Sequence, residues 1–367
     1  MTAPVVLDVA ATDGTARIGT AHTACGDYRT PCFMPVGTRA AVKCLSATDY
    51  EALGAEIVLA NAYHLMLRPG ADVVAGFGGV GPFAGWGGLT LTDSGGFQVY
   101  SLGPDVDDDG VTFRSTYDGS RHRLTPESAV AVQEELGATI QMALDVCPSL
   151  PSLPDVVRLA MDRTAAWAKR ARAVHQRTDQ ALFGIVQGGI DEAWRAESAR
   201  LVADLDFDGY GIGGLSVGET RAEMLPALEA AVAELPADRP RYLMGVGDPV
   251  SVVEAVALGV DQFDCVLPTR LGRHGTALTN DGKVQLRNAR FARSDEPVDA
   301  ACTCAVCARH TCGYLRHLFQ ANEPTGARLL TWHNLAWTFD LMDRIRAAVA
   351  AGTLATLRAD ILAVWAG

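Results

Sequence analysis

The chain has 367 residues, 49% of them hydrophobic and 20% charged, with 37 glycines and 17 prolines scattered without a period. That composition excludes a disordered, collagen-like or low-complexity chain and leaves length for one large core or two ordinary domains. A formal net charge of −12 argues against a general nucleic-acid binder. No apolar run approaches the ~20 residues a membrane-spanning helix needs. Acidic residues follow the N-terminus before a signal-peptide core can form, so a cytoplasmic protein is expected.

Eight short apolar runs then recur along the chain, at 31–38, 56–61, 89–93, 139–145, 182–188, 209–214, 241–246 and 262–267. Near-continuous runs of this length suit parallel strands buried on both faces. Between them lie helical patterns that open on Ser, Thr or Asp, such as TPESAVAVQEELGA and DPVSVVEAVALG. Eight β/α units in one chain of this size predict a TIM (β/α)8 barrel over 1–267, with a doubly wound open sheet as its competitor. The long gap after the third run carries VTFRSTYDGSRHRLT, where Asp118-Gly119 signals an inserted β-hairpin at about 104–124. Residues 268–335 break the βα rhythm and read as a basic loop with a metal-binding subdomain. The tail, 336–367, reads as amphipathic helices closing the barrel.

The last residues of the runs are polar or glycine: Asn61, Asp93, Asp145, Gln187, Gly213-Gly214, Met244-Gly245 and Asp264. In a barrel these positions share one mouth, the usual place for catalytic groups. Asp and Asn also start turns and cap helices there. Asp93, followed by Ser94-Gly95-Gly96, and Asp264, inside QFDCVL, fit that bland role least, because a charge in an apolar run is costly unless paired or used. Two carboxylates at an anomeric carbon can break a glycosidic bond, one as nucleophile and one handling the proton. A further carboxylate with a Gln amide can read a purine edge.

The nine cysteines are an odd number in a chain read as having no export signal, so a secreted disulfide framework is not expected. Cys25, Cys32, Cys44, Cys147, Cys265 and Cys312 read as small buried hydrophobes. Cys302, Cys304 and Cys307 crowd one hexapeptide and predict a closed, structural zinc site with one more ligand. Cys312 is nearest and His333 would tie the loop to a helix; spacing leaves the choice open. Just before this knuckle, 270–293 carries six cations (Arg270, Arg273, Lys283, Arg287, Arg290, Arg293) against one acid, Asp281. That reversal of sign predicts contact with a polynucleotide backbone.

The stretches TPCFMPVGT, ANAYHLMLRPG, LTDSGGFQVYSL, FGIVQGGI, DGYGIGGLSVGE, YLMGVGDP, DQFDCVLPTRLGRHG, RNARF and CTCAVC occur in this order in one family. The chain resembles the bacterial tRNA-guanine transglycosylases, or queuine tRNA-ribosyltransferases, over almost its whole length. The resemblance implies exchange of guanine 34 in tRNAs with GUN anticodons for preQ1, in queuosine biosynthesis, by a homodimer carrying one structural Zn2+ per subunit. It implies Asp264 as nucleophile and Asp93 as general acid/base. Asn61, Ser94, Gly95, Gly96, Asp145, Gln187, the Gly214 backbone, Leu215 and Glu219 would hold the base, with Phe97 and Met244 sandwiching it. RNA would meet Gly245, Val246, Gly247, Asp248, Thr269, Arg270, Leu271, Gly272 and Arg273, and the metal Cys302, Cys304, Cys307 and His333. Departures from the family pattern are Phe97 for Tyr, Val146 for Glu and Asp248 for Lys. Val217 keeps the bulk suited to the small base preQ1.

Overall fold

A computed structural model describes residues 5–100, 102–103 and 105–366; residue 104, the expected start of the insertion, lies outside them. A short strand coincides with each apolar run, the fifth starting one residue ahead of it: Cys32–Met34, Ile57–Ala60, Leu89–Thr92, Ile140–Met142, Ala181–Val186, Gly209–Ile212, Arg241–Leu243 and Gln262–Asp264. The eight pair in one sheet in the order one, eight, seven, six, five, four, three, two. Two bonds join its ends and close the barrel, from the Leu59 N–H to the Pro35 carbonyl (3.0 Å) and from the Gly37 N–H to the Leu59 carbonyl (2.6 Å). The open-sheet alternative is thereby excluded.

Alternation along each strand sorts the apolar residues into two cores. Ile57, Leu59, Phe183, Ile185 and Tyr242 fill the barrel, while Val58, Leu182, Val186 and Leu243 face the surrounding helices. Strand six is glycine-rich because the interior has no room there. A Cβ on Gly209 would lie 2.4 Å from the Phe183 ring, and one on Gly211 2.7 Å from Met142 Cε. The outer helices start where their caps predict. Thr125 accepts the Ser128 N–H ahead of Pro126–Leu136, and Gly137 ends that helix in the left-handed region.

Sequence reading places no element before residue 31, yet Val5–Asp13, Ala16–Thr23 and Gly26–Thr30 form an antiparallel sheet. Its Val5, Leu7, Ala21 and Tyr28 join the core inside the barrel, stoppering the end where the strands begin. Arg17 is the bolt. Its guanidinium makes a bidentate pair with buried Asp261 (2.8 and 2.6 Å) at the start of strand eight.

At the opposite end, the insertion after strand three comprises Asp105–Val106, Val111–Arg114 and Arg121–Leu124, one strand more than a hairpin. The basic segment corrects another expectation. PTRLGRHG is largely a helix, Leu267–Arg273, with Pro268 in its first turn, because proline there is preorganised for helix. A hairpin follows, Thr276–Thr279 with Gly282–Gln285. The helix Pro324–Ala351 runs unbroken through 335/336, so that position divides no two units. Cys25 and Cys44 are exposed rather than buried. Among the described residues, no helix is long and apolar enough to cross a membrane.

Candidate active site

Strands two, three, four, seven and eight deliver their terminal residues into one cavity of about 370 Å³, walled by Asn61, Asp93, Asp145, Tyr242, Met244 and Asp264 among others. Among the described residues, no cation answers any of its three carboxylates. Asp93 accepts the Ala62 N–H at 2.8 Å and a short bond from the Asn61 amide. Burial, reinforced by the nearby Asp264 charge and opposed by those hydrogen bonds, pushes its carboxyl up to about 6. Asp145 accepts from the Gln187 amide (2.7 Å) and the Ser94 hydroxyl (3.4 Å), and burial likewise raises it to about 6. Asp264 receives the Tyr242 hydroxyl and the Gly245 N–H on one oxygen, Oδ1, both at 2.6 Å. Its Oδ2 has no hydrogen-bond partner among the described residues. Burial raises this carboxyl as well, against those two donors.

A separate cluster lies behind the basic helix. The sulfurs of Cys302, Cys304 and Cys307 and a nitrogen of His333 all fall within 4.8 Å of one another. His333 Nδ1 is 3.3 Å from Cys307 Sγ, 3.5 Å from Cys304 Sγ and 3.9 Å from Cys302 Sγ. Its Nε2 lies 2.9 Å from the Leu278 carbonyl, which fixes the tautomer that leaves Nδ1 free for a metal. Four donors of this type and spacing leave no open position. Cys312 is elsewhere, its thiol directed at the Pro297 carbonyl.

A family model described as queuine tRNA-ribosyltransferase matches residues 12–366. The chain belongs to the queuine tRNA-ribosyltransferase family. It is 52% identical to a queuine tRNA-ribosyltransferase of Herpetosiphon aurantiacus over 92% of this chain and 86% of the relative. A Symbiobacterium thermophilum relative of the same name shares 52% over 95% and 88%. One from Sphingopyxis alaskensis shares 51% over 97% and 96%.

Within this ribosyltransferase framework the structure assembles some expected residues and sets others apart. Ser94, Gly95, Gly96, Phe97, Gly214, Leu215 and Gly245 line the cavity, and the Phe97 ring is 55% exposed at its mouth. Gln187 does not. It is buried behind Asp145, which holds its amide. Glu219 lines a neighbouring depression instead, and its carboxylate accepts the Ser216 and Val217 N–H groups. Several expected RNA-facing residues are also occupied elsewhere. Val246, Gly247, Thr269 and Gly272 are buried in packing, and Asp248 caps the helix Pro249–Ala257 by accepting the Ser251 N–H. Arg270 is exposed, and Leu271 and Arg273 are half-buried.

Two participants escape sequence reading. Tyr242 lies two residues before Met244 in the run RYLMGV, so both point inward; that parity is the only signal of its contact with Asp264. Arg195, fully buried on the helix Glu192–Ala203, donates to the carbonyls of Val186, Gly189, Gly213 and Gly214. It clamps the turns after strands five and six together. In DEAWRAESARL it looks like any helical arginine, and nothing in the spacing marks it.

Proposed function

We propose that this chain is a tRNA-guanine transglycosylase that exchanges the wobble guanine of GUN-anticodon tRNAs for preQ1. The observation that carries the reading is the shared cavity of Asp93 and Asp264, with one Asp264 oxygen held by two donors and the other free. That free Oδ2 attacks C1′ of the ribose as the bond from C1′ to the base nitrogen breaks. The bonding pair leaves with guanine, whose ring nitrogen takes the proton held by Asp93, leaving Asp93 ionised for the second step. The incoming base then attacks C1′ from the vacated side, losing its ring proton to Asp93 and expelling the Asp264 carboxylate. Two displacements retain configuration. Two donors on Oδ1 disperse the charge that Asp264 regains when it leaves. Asp93, raised by burial to about 6, stands near the operating pH, as an acid/base group should.

Asp145 would accept the two N–H donors of the purine edge once Gln187 turns from it toward the carbonyl side. Phe97 and Met244 would flank the ring. Zn2+ would be held by Cys302, Cys304, Cys307 and His333, where it supplies a structural cross-link and no reaction step. A homodimer is part of the same reading. The test is trapping of a ribosyl-protein adduct with tRNA and exchange of labelled guanine. Wild-type protein forms the adduct and Asp264→Asn does not; an adduct in that variant overturns the assignment.

A further inference from the structure

The barrel's mouth has a second concentration of positive charge, away from the basic segment after strand eight. Arg39 follows strand one, Arg68 follows strand two, and both converge on Tyr117 at the tip of the insertion after strand three. The Arg39 guanidinium carbon is 5.4 Å from the Tyr117 ring centroid and that of Arg68 is 4.8 Å. The Tyr117 hydroxyl is 3.0 Å from His64 Nδ1, and His64 lines the cavity together with Thr38, the neighbour of Arg39. Both arginines are exposed, and neither has a carboxylate within ion-pair distance among the described residues. Arg123, on the same insertion as Tyr117, differs, being paired with Asp107 at 2.7 Å.

Two cations gathered on one ring without a counter-charge repel each other, and their attraction to the ring supplies only part of the compensation. In a protein of net charge −12 this pair is placed for an anion from outside. The rim position defines which anion. Strand eight pairs with strand one, so Arg39 and Arg68 continue the arc of charge that begins at Arg270. His64, bonded to the Tyr117 hydroxyl, connects the pair to the cavity wall.

Resting on the proposal that the substrate is RNA, we propose that Arg39, Arg68 and Tyr117 form a clamp for a backbone phosphate flanking the target nucleotide. It follows the Arg270 helix round the rim, after strands one and two. Its role is to hold the strand while the target base enters the cavity, so it acts on RNA affinity and not on bond breaking.

The test uses full-length protein and an RNA stem-loop with the target guanine in its loop. Filter binding is measured between low and moderate salt, with guanine exchange followed in parallel. For Arg39→Ala/Arg68→Ala, binding weakens by ~10-fold or more at low salt, and the slope of log affinity against log salt falls by about one to two. The kcat for exchange stays within about twofold, since neither residue reaches the reacting atoms. Arg39→Glu, at an exposed position that tolerates charge, weakens binding further than Arg39→Ala. Unchanged affinity, or weaker binding with an unchanged salt slope, overturns the clamp. If wild-type protein binds the stem-loop but exchanges no guanine, the transglycosylase reading fails while the salt slopes still decide the clamp.

Discussion

The two ends of the barrel treat buried carboxylates in opposite ways. Where the strands begin, Asp261 is fully buried and answered by the Arg17 guanidinium and the Arg241 N–H. Where they finish, Asp93, Asp145 and Asp264 are surrounded by neutral donors only. The first arrangement suits a plug, because a paired charge fixes the N-terminal sheet against strand eight. Burial raises the carboxyls at both ends. The second differs in leaving three acids in one cavity with no cation beside them among the described residues, which suits chemistry more than anchoring.

The largest expected effect comes from removing an acid at the open end. Asp93→Asn lowers kcat for base exchange by ~100- to 10,000-fold, the span of general acid/base catalysis, measured with labelled guanine; a loss below tenfold removes Asp93 from the chemistry. Next, Arg17→Ala at the closed end leaves Asp261 buried and without its cation, at a cost of about 3–5 kcal/mol. Denaturant unfolding reads that loss, and kcat of the folded fraction stays near wild type. A drop in kcat without a drop in stability would erase the distinction between the ends.

The third effect has the opposite sign. Asp145 carries a folded-state pKa of about 6 against an ordinary 3.8, so its ionised form is disfavoured by folding. Below pH 4 both states hold the proton and the group contributes nothing. Between pH 4 and 6 the folded form keeps a proton the unfolded form has lost, so stability declines as pH rises. Asp145→Asn therefore stabilises at pH 7 by about 2–3 kcal/mol, at ~1.4 kcal/mol per pH unit, while abolishing guanine binding. Equal gains at pH 4 and pH 7 would contradict burial of the charged form as the cause. The smallest effect concerns packing behind the open end. A Cβ at Gly272 would lie 2.8 Å from the Thr331 backbone, so Gly272→Ala pushes two helices apart and costs about 1–3 kcal/mol, read as a lower melting temperature.

The contrast between the ends also marks how far sequence reading reaches. Barrel strands announce themselves because both faces are apolar, and their terminal Asp residues stand out against that background. Arg17 and Asp261 lie 244 positions apart, and no local pattern pairs them. The N-terminal sheet has one apolar face and ordinary alternation, a weaker signal than an unbroken run; Asp13-Gly14 is its clearest trace. At the site, residue types are legible and orientations are not. Gln187 turns toward Asp145, and Glu219 toward its own loop, because amides and carboxylates take whatever hydrogen-bond partners lie within reach. In 269–273, helical geometry sends Thr269 and Gly272 inward and leaves Arg270 outside, which a reading of the segment as a loop misses.

One turn of the helix Pro324–Ala351 joins distant parts of the molecule. His333 meets the cysteine knuckle, and Asn334 beside it donates to the Pro268 and Thr276 carbonyls and accepts the Leu278 N–H. An α-helix turns about 100° per residue. A single inserted or deleted residue between Pro324 and His333 would swing that histidine and asparagine off both targets at once. The number of residues along this stretch, more than their identity, sets whether both anchors meet their partners.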